Sequence, residues 1–202
     1  MKAFKSLLIL SAIVMASVAA NADGISLGQP AYGGSGCPNG SASVSLTADG
    51  STVSVLFDSF QAEAGDVTGR RIDRKSCNLR IPVHVPQGFS VALIGVDYRG
   101  FNAVPAAGAY TDFRAEYFFA GSHGPVYEKR FSGPNSDAFD INNNLLATAL
   151  VWSQCGTDVM FSINAAATAM SNAQLEDTLM AVDSVDVHAG MLYHFQWRRC
   201  NN

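Results

Sequence analysis

The clearest pattern in the sequence is an alternation of apolar and polar residues that begins near residue 41. Ala42, Val44 and Leu46 alternate with serine and threonine up to residue 47. Asp49-Gly50 then precedes a second run, residues 52–57, which is rich in valine, leucine and phenylalanine. Successive side chains of a strand point to opposite faces, and Asp-Gly is a preferred pair in tight β-turns. These residues therefore predict a β-hairpin.

The same period of two continues along the chain and predicts further strands. Residues 77–85 alternate, although Pro82 inside this run predicts an edge strand or a bulge, because proline donates no backbone hydrogen bond. Residues 89–96 predict a buried strand. Strands are also predicted over residues 113–119, 126–131, 148–152, 159–163, 182–187 and 191–197. Residues 165–179 are rich in alanine without an amphipathic stripe and predict a short helix or a long loop.

This set of about nine or ten short strands, with turn signals between them, indicates an all-β fold. The favoured architecture is an antiparallel β-sandwich of immunoglobulin-like or jelly-roll topology, in a single domain. A closed β-barrel is the alternative.

Residues 1–22 have the features of a secretory signal peptide. Lys2 and Lys5 form a basic start, residues 7–18 are apolar, and Ala20-Asn21-Ala22 offers a small-x-small cleavage site. Cleavage near Ala22 leaves residues 23–202 as the mature domain, and a cut after Ala20 is the competing site. The apolar segment is too short to span a bilayer comfortably as a retained helix. The sequence predicts a secreted or periplasmic protein without membrane insertion.

The charge balance narrows the class of partner. The chain has 13 basic and 17 acidic residues, a net charge of −4, and loss of Lys2 and Lys5 with the signal peptide would bring it near −6. Nucleic acids and anionic membranes bind positive patches, whose contacts release counterions. We therefore expect no nucleic acid partner, and an extracellular polymer or protein of unknown identity instead.

All four cysteines, Cys37, Cys77, Cys155 and Cys200, follow the signal peptide. An even number of cysteines in an exported chain predicts disulfides. Of the three possible pairings, Cys37 with Cys77 and Cys155 with Cys200 is favoured, because one bond would tie the amino-terminal segment to the sheet and the other would fasten the carboxyl terminus. A four-cysteine zinc site normally uses Cys-x-x-Cys pairs, which the sequence lacks.

Several segments, most of them around these cysteines, occur together in one known family. They are Gly34-Ser35-Gly36-Cys37-Pro38, residues 74–79, Tyr98-Arg99-Gly100-Phe101, residues 151–156, Asp183-Ser184-Val185-Asp186 and Trp197-x-x-Cys200. In this order they resemble domain-of-unknown-function family 4360, which consists of small secreted proteins of bacteria and fungi. The resemblance covers essentially the whole mature chain and implies a single cysteine-bridged β domain. It implies no established activity and no catalytic residues. Ser76 and Gln154 stand where many members are expected to have Asn and Pro.

Candidate catalytic groups are few. Ser184, Asp186 and His188 would share one face of a strand, where neighbours are about 6.5–7 Å apart, whereas a nucleophile and its base need about 2.6–3.2 Å. Carboxylates that could form a glycosidase pair are Asp58, Glu63, Asp97, Glu116 and Asp183. Since the sequence fixes no separation between them, it assigns neither a catalytic nor a binding residue.

The sequence contains no clear metal-binding motif. Asp137, Asp140 and Asn142 lie in an oxygen-rich stretch that could hold calcium, but the stretch lacks the Asp-x-Asp-x-Asp-Gly register of a dedicated calcium loop. The four histidines form no His-x-x-x-His or His-x-Glu pattern. We therefore predict no metal ligand and no cofactor, with calcium in this stretch as the alternative.

The sequence predicts a disulfide-bonded fold and contains no assembled nucleophile, acid–base pair or metal motif. This favours a non-catalytic secreted β-sandwich that binds a polymer or protein or forms part of an extracellular layer. The alternative is a secreted hydrolase acting on polysaccharide or ester substrates. Its carboxylates, or Ser184 and His188, would then be brought together by folding.

Overall fold

The computed structural model of the protein describes residues 24–119, 121–145, 150–182 and 190–200. In chain order, the strands of these residues are β1 (Ser26–Leu27), β2 (Ala31–Gly33), β3 (Ala42–Leu46), β4 (Thr52–Phe57), β5 (Gln61–Ala64), β6 (Ile72–His84), β7 (Phe89–Val104), β8 (Tyr110–Phe119), β9 (Val126–Ser132), β10 (Asn135–Asn144), β11 (Val159–Met170), β12 (Thr178–Ala181) and β13 (Met191–Arg199). The described part of the chain contains no helix. The predicted all-β class is confirmed.

The strands form two antiparallel sheets. Sheet A has the order β1-β6-β11-β8-β9, and β2 also pairs with β6. Sheet B has the order β3-β4-β13-β7-β12-β5, and β10 also pairs with β7. The two sheets share one hydrophobic core, and over the described ranges they do not close into a barrel. The β-sandwich prediction is therefore confirmed, and the barrel alternative is wrong.

The period of two in the sequence corresponds to the division between core and surface. In β6, Leu79, Ile81 and Val83 are buried, and in β13 the buried side chains are Met191, Tyr193 and Phe195. Full burial of a large apolar side chain contributes about 1.5–3 kcal/mol. Because these residues hold the two sheets face to face, the alternate residues of the same strands lie on the outer faces.

The predicted hairpin is present as β3 and β4. Gly50 has a φ of +69°, a left-handed conformation that glycine adopts without steric cost. The carboxylate of Asp49 accepts hydrogen bonds from the Thr47 hydroxyl and from the backbone N–H and hydroxyl of Ser51. These bonds lower the pKa of Asp49 to about 2. The turn is thus held by side chains within five residues of one another.

The prediction of a helix or a long loop over residues 165–179 is wrong at both ends of this range, and only residues 171–177 form a loop. Residues 165–170 continue β11, and residues 178 and 179 begin β12. Ala165, Ala167 and Ala169 are buried in the core, while β11 pairs with β6 on one side and β8 on the other. Pairing on both edges outweighs the small helix propensity of alanine, which is worth well under 1 kcal/mol per residue.

The expectation that Pro82 marks an edge strand or a bulge is also wrong. β6 pairs with β11 in unbroken register through Pro82 and has β1 and β2 on its other side. The Pro82 carbonyl accepts a hydrogen bond from the Gly28 N–H, on the β1 side. The nitrogen of a residue in an antiparallel strand faces the same side as its carbonyl. The missing N–H therefore faces the end of the two-residue strand β1, and no bond to β11 is lost.

Other predictions fall partly outside the described residues. The predicted strand over residues 182–187 is described only at Val182, which lies in a bend, and that over 148–152 only at residues 150–152, where Trp152 forms a single bridge to Ala92. β10 was not predicted as a strand, because its sequence is mostly Asn and Asp. It forms because all ten of its residues pair with β7.

Two disulfides join Cys37 to Cys77 and Cys155 to Cys200, the pairs that the sequence favours. Cys37 reaches β6 closely because glycine occupies positions 34 and 36. A side chain at Gly34 would meet the Ser76 carbonyl oxygen at 2.1 Å, and one at Gly36 would meet the Phe60 ring at 2.3 Å. The second disulfide lies next to the start of β7, where the Cys200 N–H donates to the Gly88 carbonyl.

Candidate binding groove on sheet A

The outer face of sheet A carries a groove along its central strand, β11. The strand register places side chains in rows across β6, β11 and β8. One row contains Arg80, Ser162 and Phe118, and the next contains Asn78, Asn164 and Glu116. Directly opposed residues have Cβ atoms about 4.5–5.5 Å apart. We call these six residues, together with Arg74 and Thr168 farther along the same face, the β11 groove.

The groove forms because its floor is made of small side chains. Ser162 and Ala166 are each only 7% exposed, although they lie on the outer face. Longer side chains on β6 and β8 stand on either side of them. The depression at the Arg80 end has a volume of about 720 Å³, and Met160 adds apolar surface to its wall. A second depression, of about 390 Å³, continues along β11 between Arg74 and Arg130.

The polar side chains of the groove are unpaired. Among the described residues, no hydrogen bond or ion pair is made by the side chains of Asn78, Arg80, Glu116 or Asn164. An amide both donates and accepts, a guanidinium only donates, and a carboxylate only accepts. The groove therefore presents donors and acceptors of both kinds to solvent, spaced by the strand separation of about 4.8 Å.

The part of this face beyond the groove is paired internally. Arg130 donates two hydrogen bonds of 2.6 Å to Asp112, and its guanidinium lies 3.9 Å from the centre of the Tyr110 ring. Arg114 donates to Glu128 at 2.9 Å. These pairs fix β8 against β9. The unpaired side chains are concentrated over β6 and β11, which distinguishes a candidate binding site from ordinary surface pairing.

The structure separates the candidate glycosidase carboxylates. Asp97 lies on the outer face of sheet B and Glu116 on the outer face of sheet A, with the core of the sandwich between them. Sheets pack about 10 Å apart, so these two carboxyl groups do not face a common bond. Asp58 and Glu63 do line one depression, together with Arg70, Asp73 and Lys75. Both Arg70 and Lys75 form ion pairs with Asp73.

Asp183, Ser184, Asp186 and His188 lie outside the described residues. The calcium candidates lie on β10, where alternation places Asp140 and Asn142 on one face and Asp137 on the other. Asp140 pairs with Arg99 at 3.3 Å. Among described residues, no group of three or more His, Cys, Asp or Glu side chains is arranged to hold a metal ion.

A second polar network, which the sequence did not indicate, lies on the outer face of sheet B. His194 Nε2 lies 2.8 Å from Asp97 Oδ2, and the Thr52 hydroxyl lies 3.3 Å from His194 Nδ1. The Asn142 amide donates to Asp97 Oδ1 at 2.8 Å. Burial raises the pKa of Asp97, but the hydrogen bonds from Asn142 and His194 outweigh burial, and the net pKa is lowered. The network links four adjacent strands.

Replacing Asn142 with alanine should raise the pKa of Asp97 toward its ordinary value of 3.8. A carboxyl whose pKa is lower in the folded state stabilises the protein above its unfolded pKa, and this stabilisation is lost as the pH falls through the folded pKa. The variant should therefore begin to unfold at a higher pH on acidification, as followed by circular dichroism, with the Asp97 pKa measured by NMR. Asn144→Ala, on the same face of β10, is the control. An unchanged Asp97 pKa in the Asn142 variant would contradict this account.

The comparisons with known proteins agree with the sequence resemblance. Residues 23–200 match the family described as "Domain of unknown function (DUF4360)". The chain belongs to this family. The chain is also similar to an uncharacterized secreted protein of Arthroderma benhamiae, at 28% identity over 171 residues, which cover 85% of this chain and 70% of the relative. The two disulfides fit the same extracellular environment. No helix long and apolar enough to cross a membrane occurs among the residues described.

A solved structure to which the chain was matched is that of TmCBM61 in complex with β-1,4-galactotriose. It is 13% identical to this DUF4360 chain, with a TM-score of 0.25, and the match covers 84% of this chain and 88% of the other. That score is too low to indicate a shared fold or a shared site.

Sequence reasoning missed the groove because no motif marks it. Asn78, Asn164 and Glu116 come from three strands and occupy the polar phase of each, as ordinary surface residues do. The available signal was the run of small outward residues in β11, which requires that residues 165–170 be recognised as strand.

Proposed function

We propose that this DUF4360 protein is a non-catalytic extracellular binding module, and that the β11 groove binds one chain of a polysaccharide. The observation that carries the proposal is the row of unpaired polar side chains, Asn78, Asn164 and Glu116, in a groove open along its length. Sugars present hydroxyl groups that both donate and accept, which amides can satisfy in either direction. Phe118 and Met160 offer apolar surface beside the row.

The proposal includes export and cleavage of residues 1–22 near Ala22, with residues 23–202 acting as one domain in the periplasm or outside the cell. It includes no cofactor. If calcium near Asp137, Asp140 and Asn142 were required, binding would be lost in EDTA and restored by calcium.

The test is retention of the mature protein on a panel of insoluble polysaccharides, followed by affinity measurement on those that retain it. Asn78→Ala combined with Asn164→Ala should weaken binding about 10- to 30-fold, because each lost hydrogen bond contributes about 1 kcal/mol. Asn144→Ala, an exposed asparagine on sheet B, is the matched control and should bind as the wild type does.

Two results would contradict the proposal. One is the absence of retention on every polysaccharide by a correctly folded protein. The other is release of sugar or ester products that a single substitution abolishes, which would favour the hydrolase.

A further inference from the structure

We infer that the polysaccharide held in the β11 groove is anionic, with carboxylate or sulfate groups that contact Arg80 and Arg74. This inference rests on the proposed function, because it names the ligand class of the same site. It follows from the arrangement of charge on the outer face of sheet A, which differs from that of the chain as a whole.

The outer face of sheet A is more basic than the protein as a whole. The whole chain has a net charge of −4. Sheet A nevertheless presents four arginines on its outer side, against three carboxylates. The arginines are Arg74, Arg80, Arg114 and Arg130, and the carboxylates are Asp112, Glu116 and Glu128. Since Asp112 and Glu128 each pair with an arginine, two of these arginines and Glu116 have no ion-pair partner in the described part of the chain.

The two arginines without an ion pair within the described ranges, Arg80 and Arg74, lie on β6 at the two ends of the groove. Arg80 is directly opposite Ser162 on β11, and Arg74 is directly opposite Thr168. They are six residues apart on one face of β6, which is about 20 Å along the strand. Among described residues neither side chain forms a hydrogen bond or an ion pair. Each end of the groove thus combines a guanidinium, which suits carboxylates and sulfates, with a hydroxyl donor. On the β8 side of β11, Phe118 lies at the Arg80 end, and Asp112, already bound by Arg130, lies at the Arg74 end.

Between the two arginines, the groove side chains on β6 and β11 are neutral. Asn78 and Asn164 lie opposite each other between the two arginines, and Glu116 lies beyond Asn164 on β8. A chain that fits would carry anionic groups far apart, with hydroxyl groups between them. Glu116 would repel such a ligand and would therefore limit its affinity.

This spacing distinguishes an acidic polysaccharide from a nucleic acid. Duplex DNA carries one charge per about 1.7 Å of its axis, and affinity for it grows with the number of phosphates neutralised. Two free arginines about 20 Å apart, in a protein of net negative charge, neutralise few of these phosphates. A sugar chain with charged groups separated by neutral hydroxyl-bearing residues matches the groove better.

The test is affinity electrophoresis of the mature protein in native gels that contain one polymer each. The polymers are partly methyl-esterified polygalacturonate, in which neutral residues separate the carboxylates, its fully methyl-esterified form, carrageenan and single-stranded DNA. We expect binding to the partly esterified polygalacturonate or to carrageenan to exceed binding to the fully esterified form by at least about tenfold, since hydrogen bonds to charged groups are the stronger ones. Which of the two is preferred distinguishes carboxylate from sulfate recognition.

Substitutions in the groove test whether the anionic polymer binds there. Arg80→Gln and Arg74→Gln should each weaken binding of the preferred anionic polymer by about tenfold, whereas Glu116→Gln should strengthen it. Arg198→Gln, an exposed arginine on sheet B, is the matched control. Near-ultraviolet circular dichroism checks that each variant is folded.

The failure of this inference can be told apart from the failure of the proposed function. Equal binding of the partly and the fully esterified polymers, unaffected by Arg74→Gln and Arg80→Gln but weakened by the two asparagine substitutions, would overturn the anionic ligand without contradicting the proposed binding module. Tighter binding of DNA than of either anionic polysaccharide would also overturn it. Retention by no polysaccharide would overturn both.

Discussion

Replacing Phe161 with alanine should destabilise the protein by about 3–5 kcal/mol. Phe161 lies on the central strand of sheet A and is 1% exposed. Its ring centre lies 5.8 Å from that of Phe119, 5.2 Å from Tyr193 and 5.1 Å from Phe195. The two last residues belong to sheet B, so this ring joins the sheets. Truncation removes the contacts from both sheets and leaves a cavity that closely packed neighbours fill only partly.

The measurement is urea or guanidinium unfolding of both proteins with their disulfides intact. Phe101→Ala is the matched control, because Phe101 lies on the outer face of sheet B and is 37% exposed. Its loss should cost less than about 1 kcal/mol. A cost below about 1 kcal/mol for Phe161→Ala as well would show that the two sheets are not held together at this ring.

The second large effect concerns the disulfides. Their cysteines are separated by 40 and 45 residues, and loops of this length give about 4 kcal/mol of stabilisation each on the chain-entropy model. Removal of Cys37–Cys77 by alanine substitution should nevertheless cost more than removal of Cys155–Cys200. Both cysteines of the first pair are fully buried, whereas Cys155 is exposed. The first replacement therefore also loses packing in the core.

Each double variant serves as the control for the other, since the loops are nearly equal in length. Unfolding free energies give the two costs, and mass mapping of unreduced peptides verifies the bond that remains. Equal costs would show that core packing around Cys37 and Cys77 adds nothing. A recovered Cys37–Cys200 peptide from the wild type would overturn the pairing itself.

The parts of the fold that could be predicted are those held by neighbours in the sequence. The hairpin of β3 and β4 has its turn, its alternation and its Asp49 hydrogen bonds within one short segment. The parts that were predicted wrongly or missed depend on distant pairing. Residues 165–170 are strand because β6 and β8 lie on either side of them, and β10 is strand because β7 lies beside it. Alanine and asparagine by themselves favour neither outcome strongly.

The candidate site depends on distant strand pairing even more than the fold does. Alternation placed Asn78, Arg80 and Glu116 on the polar sides of their strands, as it would any surface residue. Only the register between β6, β11 and β8 brings Asn164 between Asn78 and Glu116, from positions 86 and 48 residues away in the chain. A shift of one residue in β11 would turn its small outward side chains into the core and remove the groove.

The sequence by itself determined the all-β class and the hairpin, because alternation and turn residues act locally, and it favoured a sandwich while leaving a closed barrel as the alternative. The tertiary structure alone decided that an alanine-rich segment is the central strand of sheet A, and that three polar positions share one groove with unpaired arginines at its ends. The physical reason is that backbone pairing between strands sets the register, and the register decides which side chains stand side by side.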